Sequence, residues 1–371
     1  MKNFDRIAVR LILSFGLAWI CAGCESRLEA ALELAGGNRP ELEAVLQHYS
    51  TDKADSLKYR AARFLIENLP LHYGYAGKGL EDFKCDYDSL FCDKDIPRQV
   101  LRGRAKNYNP DFTNVHPAFD LSELSRDFLI RHIDNAFATL DYPWTKGLSF
   151  GDFCEYVLPY RIENELAEDW MPHYRDFLAE IIRPLQQAGA DRYTAARTIQ
   201  DSLRRMDYEV IDESVMRMAL RPSDYLRAAG GACPEITSLM RSVGLPVNYD
   251  YIIQWANRSQ SHSWNSLRVD SVLYSFGMSD PEFGKHFESR PQERVGKVYR
   301  KMFSFQPQSL PNQRGALAEG IPPAFRSPFI KDVSESYFDG IDLAMKLTIP
   351  IAAPKKFAYL VVFDNRDWVP V

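Results

Sequence analysis

Apolar positions divide this chain into a helical first part and a strand-rich second part. Apolar residues recur at helical spacing within residues 27–69, beginning with Leu28, Ala31 and Leu32. Gly36-Gly37-Asn38 interrupts the pattern, Pro40 suits the first turn of a second helix, and a third is predicted at about Leu57–Asn68. The sequence therefore opens with three short amphipathic helices.

Further helices are predicted before residue 210 and around residue 240. Residues 71–118 are rich in Gly, Pro, Asp and Asn with weak periodicity, and we expect long loops with short elements there. No period of 20–50 residues recurs, which argues against a solenoid. The predicted helices are Leu121–Leu140, Ser149–Tyr160, Pro172–Ala188, Tyr193–Asp207 and Ile236–Val243.

Strand-like patterns replace helical ones after residue 245. Several runs are rich in Tyr, Ile, Val and Leu. The predicted strands are Asn248–Gln254, Ser263–Val269, Ser271–Phe276, Val298–Phe305, Leu343–Pro350 and Phe357–Phe363. Residues 306–328 are proline-rich and polar, typical of a linker or long surface loop. Helices followed by strands predict an α+β fold.

The strand-like sequence runs up to the last residue, Val371. A sheet needs about three strands for independent stability, and only three short ones are predicted beyond residue 290. We therefore expect a short, incomplete C-terminal β extension. The predicted organisation is a leader at 1–23, a helical domain at 24–175, a core at 176–290, and a linker with a partial β domain at 291–371.

The N-terminus has the pattern of an export signal. Lys2, Arg6 and Arg10 precede the apolar run Leu11–Ala22, which is too short to span a bilayer but typical of a signal peptide. The following Cys21-Ala22-Gly23-Cys24 resembles the lipobox of bacterial lipoproteins. That resemblance implies cleavage before Cys24, a lipid on its thiol, and a place in the cell envelope, on the outer membrane. An ordinary secretory signal is the alternative.

Composition excludes several classes of protein. The chain has 371 residues, 46% hydrophobic and 26% charged, which is the balance of a globular protein rather than a disordered one. Its formal net charge of -5 provides no global basic field, so we expect no nucleic-acid partner. Beyond the leader no stretch is apolar enough for a multi-pass membrane protein.

Cysteines in the middle of the chain leave two alternatives open. Cys85 and Cys92 are seven residues apart, and export would allow a disulfide between them. Free surface thiols are the alternative, because spacing alone does not decide between the two. A zinc site with nearby His72 is disfavoured because no CxxC or HxxxH spacing occurs. No metal or organic cofactor is implied.

A candidate nucleophile lies in Gly230-Gly231-Ala232-Cys233-Pro234-Glu235, just before a predicted helix. Unpaired N–H groups and the positive end of the helix dipole lower the pKa of a thiol at this position. Downstream, His262 lies in Gln260–Asn265 at a strand edge, and an imidazole is the usual base for a thiol. Alternatively, Cys233 is a small buried residue and His262 an ordinary core or surface histidine.

These segments together resemble the transglutaminase-like superfamily. The matching motifs are Gly231-Ala-Cys233, Met240–Pro246, the strand leading to Trp255, and His262-Ser-Trp264. Residues 27–75 and 148–160 add a resemblance to transglutaminase-like lipoproteins of Gram-negative bacteria. The family implies a papain-like core, in which a helix carrying Cys233 packs on an antiparallel sheet carrying His262.

The resemblance also implies the roles of the site residues. Cys233 is then the nucleophile and His262 the base, and the acid is Asp280, with Asp270 as the poorer alternative. If Gly277 occupies the acid's position, the triad is incomplete. The oxyanion hole would use the Cys233 backbone N–H and a second donor, Gln254 or Trp255.

Two functions follow as expectations. The first is an exported cysteine-dependent enzyme, a peptidase, amidase or transglutaminase-type acyltransferase, which acts on a peptide or protein substrate. The second is a catalytically inactive envelope lipoprotein that uses the same core as a scaffold for peptide or glycan. The geometry around Cys233 and His262 discriminates between them.

Overall fold

The computed structural model describes residues 24–79, 82, 114–165, 167–206, 233–313, 320–340, 344, 346, 348, 358–364 and 367–371. The chain forms two compact units, residues 23–247 and residues 248–371. Helices dominate the first unit and antiparallel strands the second. The chain is therefore a mixed helix and sheet protein, compatible with the predicted α+β class.

The described helices of the first unit run from Cys24 to Arg241. They are α1 (Cys24–Leu34), α2 (Arg39–Ser50), α3 (Ser56–Asn68), α4 (Asp120–Glu123), α5 (Arg126–Phe137), α6 (Phe150–Tyr156), α7 (Trp170–Phe177), α8 (Ala179–Gln187), α9 (Arg192–Arg205) and α10 (Cys233–Arg241). The three opening helices lie where apolar periodicity placed them. Helix α2, for example, buries Leu42, Val45, Leu46 and Tyr49 on one face.

Two predicted helices are each divided in the structure. Leu121–Leu140 becomes α4 and α5, because the Ser125 side chain accepts a hydrogen bond from the Phe128 N–H and starts a new helix there. Pro172–Ala188 becomes α7 and α8, which meet at Leu178. Pro184 lies inside α8, where it has no N–H to donate to the Glu180 carbonyl.

The predicted loop region 71–118 contains two short strands. β1 (Tyr73–Ala76) pairs antiparallel with β2 (His116–Phe119). Between them, residues 83–113 lie outside the described part of the chain, and so does the predicted Cys85–Cys92 bridge. The predicted leader at 1–23 and the Cys24 side chain also lie outside it.

A five-stranded sheet forms the centre of the second unit. Its strands are β3 (Val247–Ile252), β4 (His262–Val269), β5 (Val272–Phe276), β6 (Val298–Lys301) and β7 (Ile330–Asp332), in the order β5-β4-β3-β6-β7. β4 pairs antiparallel with β5, β3 with β6, and β6 with β7. The segment 298–301, predicted to follow the core, therefore belongs to the same sheet as His262.

The proline-rich segment before β7 is only partly the linker or surface loop that its composition predicts. Ile321 and Phe325 are buried in a cluster with Tyr299 and Ile330. Apolar residues inside a proline-rich stretch thus cover one face of the sheet. β7 itself is three residues long and was not predicted, because such a short run has no readable period.

A small hairpin ends the described chain. β8 (Val361–Phe363) pairs antiparallel with β9 (Trp368–Pro370). Of the predicted strand Leu343–Pro350 the structure describes only residues 344, 346 and 348, which are not in a strand. Phe363 and Trp368 are 56% and 66% exposed, so the hairpin packs few of its apolar side chains within the described chain.

Alternation of side chains gives the five-stranded sheet two different faces. His262, Trp264 and Ser266 of β4 point to one face. Ile252 and Val298 share that face and form a cluster with Trp264 and Trp255. The opposite face carries the cluster around Tyr299, Phe325 and Ile330.

A buried ion pair lies at the centre of the His262 face. Arg300 donates to both carboxylate oxygens of Asp250, at 2.7 and 2.8 Å. Ser266 Oγ and the Tyr337 hydroxyl donate to Asp250 Oδ2, at 2.7 and 2.5 Å. The Trp264 indole N–H donates to the Tyr337 oxygen at 2.9 Å. This network joins three strands to the later chain and fixes the indole beside His262.

Arg300→Met is expected to lower the free energy of unfolding by about 3–5 kcal/mol, because the Asp250 carboxylate then stays buried without its cation. Urea unfolding followed by tryptophan fluorescence measures the loss. Lys285→Met is the control, since the Lys285–Glu282 pair is exposed and its removal is expected to leave the unfolding free energy unchanged. Equal stability of the Arg300 variant and the wild type would contradict the role given to the buried pair.

Candidate functional site

Cys233 is the first residue of α10 and is 8% exposed. Pro234 follows it in the first helical turn, where its missing N–H costs no hydrogen bond. The helix packs against α7, and all nine of its residues are buried. The thiol therefore lies at the amino end of a buried helix, where the dipole favours a thiolate.

Helix α10 ends just before Gly244, as predicted. The φ of Gly244 is +77°, and a Cβ at this residue would lie 2.6 Å from Thr145 Cγ2. The Gly244 N–H donates to the Arg241 carbonyl and the Leu245 N–H to the Met240 carbonyl, which closes the helix in a Schellman motif. Only glycine fits this backbone and this space, so Gly244 determines where the helix that carries Cys233 ends.

His262 begins β4 in the second unit and is half-buried. The Trp255 ring lies over it, with centroids 4.9 Å apart and planes 27° apart. Trp264, two residues along the same strand, lies 6.0 Å away by the same measure. Two indoles therefore restrict rotation of the imidazole.

A second histidine contacts the first. His262 Nε2 and His286 Nε2 are 2.8 Å apart and share one hydrogen bond. The ring planes differ by 12° with centroids 5.1 Å apart, so the two imidazoles lie edge to edge in nearly one plane. His286 is 2% exposed. The predicted base thus has a buried imidazole as its immediate partner.

Asp280 lies behind His286 and makes no hydrogen bond to His262. Its Oδ2 is 2.6 Å from His286 Nδ1 and accepts from the Gly277 N–H at 2.6 Å, while Oδ1 accepts from Arg290 at 3.0 Å. Burial alone would raise the pKa of Asp280, but the hydrogen bonds and charges of these groups outweigh it and hold the pKa below its usual value. The carboxylate is ionised at neutral pH.

The alternative acids fall elsewhere. Asp270 is exposed in the turn between β4 and β5 at φ +52°, as its spacing predicts. Gly277 closes a short turn with Asp280, whose N–H donates to the Gly277 carbonyl at 3.2 Å. Of the two predicted acids, Asp280 is thus the one that reaches His262, and it does so through one intervening ring.

The two predicted oxyanion donors differ in their surroundings. Trp255 is 1% exposed, and among the described residues no hydrogen-bond acceptor lies within reach of its indole N–H. Its backbone N–H donates to the Gln260 carbonyl at 3.0 Å and is therefore occupied. Gln254 is half-buried. Because a buried donor without an acceptor costs free energy, Trp255 is the better candidate for a ligand contact.

Cys233 and His262 belong to different units, the first to residues 23–247 and the second to residues 248–371. The surroundings of Cys233 and of His262 are therefore each described within one unit. Their predicted pairing as nucleophile and base stays a prediction.

Sequence reasoning missed His286 and Arg290. Both lie in a charged stretch without helical or strand periodicity, and His286 follows His262 by 24 residues. Only one signal was available: the chain has 7 histidines, and one of them lies six positions after the predicted acid. That spacing does not predict that His286 contacts both Asp280 and His262, or through which ring nitrogens.

A cleft of about 630 Å³ lies on the opposite face of the sheet from His262. Tyr299, Phe325 and Ile330 supply apolar walls, and Gln306 and Lys331 supply polar ones. The Lys297–Asp332 ion pair stands at the same cleft. It is large enough for a short peptide or sugar and is separate from the histidine pair.

Comparison with known proteins gives no relative. No protein-family model, no curated protein and no solved structure matches the chain. Across the described ranges, no helix is long and apolar enough to cross a membrane. In the same part of the chain no three His, Cys, Asp or Glu side chains are grouped to hold a metal ion.

His262 is expected to titrate far below a free imidazole. Burial, then the nearby His286 and Arg290, lower its pKa to about 4, against roughly 6.5 for an unperturbed side chain. NMR titration of the His262 ring protons measures the midpoint. Since the unfolded chain binds the proton more tightly, this residue should reduce stability as the pH falls from about 6.5 towards 4. A midpoint near 6.5 would contradict the described environment.

Proposed function

We propose that this protein is a cysteine-dependent acyl-transfer enzyme with a transglutaminase-like core. Cys233 is the nucleophile and His262 the base. The observation that supports it best is the setting of His262, an imidazole held between indoles and hydrogen-bonded to a buried chain of polar groups that ends in Asp280. Such a chain orients a base, and the low pKa of His262 keeps it neutral at pH 7.

The reaction follows from these groups. The Cys233 thiol loses its proton to His262 while sulfur attacks the acyl carbon of a peptide or glutamine-type amide. The tetrahedral intermediate collapses as the imidazolium returns the proton to the leaving amine, and a thioester remains. Water then gives hydrolysis and an amine gives transfer. The acceptor, water or amine, separates a peptidase or amidase from a transglutaminase-type enzyme.

Trp255 supports the same proposal as an oxyanion donor. Its indole N–H is buried and lies on the ring that stacks over His262. A donor with no acceptor within the described residues is suited to the oxygen that becomes negative during attack. The amino end of α10 adds the Cys233 backbone N–H as the second donor.

We further propose that the enzyme acts in the cell envelope, held by a lipid on Cys24. The apolar run Leu11–Ala22 and the lipobox-like Cys21–Cys24 support this proposal. Helix α1 begins at Cys24, so an anchored chain would enter the helical unit directly after its lipid. The intact mass of the mature chain reports both the cleavage position and the modification.

A second candidate function is a peptide- or glycan-binding envelope scaffold without catalysis. The cleft beside Tyr299 and Phe325 favours it, because its mixed apolar and amide lining suits such ligands. This function needs neither the thiol nor the histidine pair. It therefore predicts a protein whose Cys233 does not react faster than an ordinary buried cysteine.

A thiol-directed acyl probe is expected to label the wild-type protein and not Cys233→Ala, with the adduct found on Cys233 by peptide mass spectrometry. Cys154→Ala is the matched control. Cys154 is also buried, but burial raises its pKa to about 12, so the thiolate is scarce and its loss should leave labelling unchanged.

Equal labelling of the wild type and Cys233→Ala would remove the enzymatic proposal. Absence of labelling in every variant would favour the scaffold. If labelling disappears in Cys154→Ala, the reactive thiol is Cys154 in α6 and not Cys233, which would contradict the proposal.

A further inference from the structure

The hydrogen bonds around Asp280 decide which ring nitrogens carry hydrogens. Asp280 accepts from the Gly277 N–H and from Arg290, and as a carboxylate it has no hydrogen to donate. His286 Nδ1, 2.6 Å from Oδ2, must therefore be the donor in that contact. Arg290 Nη1 also lies 3.2 Å from this nitrogen, but it has closer acceptors in Asp280 Oδ1, Ser289 Oγ and the His286 carbonyl. Arg290 also donates to the His286 backbone carbonyl at 2.7 Å, which fixes the residue from both sides.

One hydrogen must then lie between the two Nε2 atoms, 2.8 Å apart. It belongs to His286 only if that ring is a cation, since its Nδ1 already carries a hydrogen. A hydrogen on both ring nitrogens of His286 would place a second positive charge 3.2 Å from Arg290 Nη1, at a residue that is 2% exposed. Asp280 already faces the Arg290 charge at 3.0 Å, so the hydrogen between the two rings belongs to His262.

We propose that His286, backed by Asp280 and Arg290, is the positioning residue that holds His262 with its hydrogen on Nε2 and its lone pair on Nδ1. The neutral His286 accepts from His262 Nε2–H, and the in-line arrangement of the two rings suits that bond. Within residues 248–371 the described chain leaves His262 Nδ1 without a hydrogen bond. Nδ1 is therefore the atom that takes a proton.

This inference deepens the proposed function, because it names the atom of His262 that acts as base and the residue that directs it there. It differs from the expected triad in one respect. The group next to the base is an imidazole, and the carboxylate acts one ring further away. Phe287 packs edge-on against His286 with centroids 5.0 Å apart, and Trp264 lies at 5.8 Å, so the second ring is as fixed as the first.

Nitrogen-15 NMR of histidine side chains in the full chain tests the inference directly. At pH 7, His262 is expected to show a protonated Nε2 and a bare Nδ1, and His286 the reverse. His132 is an internal reference, since its Nε2 faces the Leu158 carbonyl at 2.7 Å and must carry a hydrogen. A hydrogen on His262 Nδ1 would overturn the inference, whether or not the protein reacts with acyl probes.

Two substitutions at His286 separate positioning from packing. His286→Leu fills similar space but accepts no hydrogen bond, so His262 is expected to populate both tautomers and probe labelling of Cys233 at pH 7 to fall about fivefold. His286→Gln offers an amide oxygen to His262 Nε2–H and is expected to restore most of both signals. Lys285→Met, at the neighbouring exposed position, should change neither.

The outcomes distinguish the two proposals. If NMR shows the expected tautomers but the acyl probe does not label Cys233, the proposed function is wrong and the positioning role of His286 stands. Retention of a single His262 tautomer and of full labelling in His286→Leu would contradict the positioning role. Should His286→Leu fail to fold by circular dichroism, the wild-type tautomers and the glutamine variant still decide.

Discussion

The hydrogen bond between His262 and His286 is the contact on which the rest of the site depends. A buried donor needs an acceptor, and a buried carboxylate needs donors. The Asp280 carboxylate accepts hydrogen bonds from Gly277, Arg290 and His286. His286, oriented by Asp280, in turn makes the hydrogen bond that orients His262. The result is an imidazole whose orientation is set by groups that have no freedom of their own.

The sheet provides the rigidity that this chain of contacts requires. On the same face as His262, the Asp250–Arg300 pair is joined by Ser266 and Tyr337, and Tyr337 holds the Trp264 indole. Since removing one partner would leave a buried charge, the network resists rearrangement. The indole beside the histidines is therefore fixed by hydrogen bonds as well as by packing.

Sequence patterns predicted the helices and the strands better than the site. The apolar spacing within Ser56–Asn68 predicted a helix, and Gly244 predicted the end of α10. Both signals could be read from the sequence because periodicity and a positive φ depend only on neighbouring residues. His286 could not be found that way, since its meaning comes from a partner 24 residues away in a loop without a period. Asp280 was predicted from the resemblance to the transglutaminase-like superfamily, which gave no signal for His286. β7 was missed because three residues among prolines carry no pattern.

In the proposed mechanism, the Cys233 thiol at the amino end of α10 gives its proton to Nδ1 of His262. Iodoacetamide alkylation rates of Cys233, measured by mass spectrometry across the neutral pH range in the wild type and in His262→Ala, test that claim most directly. Cys154 in the same protein serves as the unreactive reference. Loss of the imidazole is expected to slow alkylation of Cys233 about tenfold or more near pH 7. Superimposable rate profiles in the two proteins would contradict it.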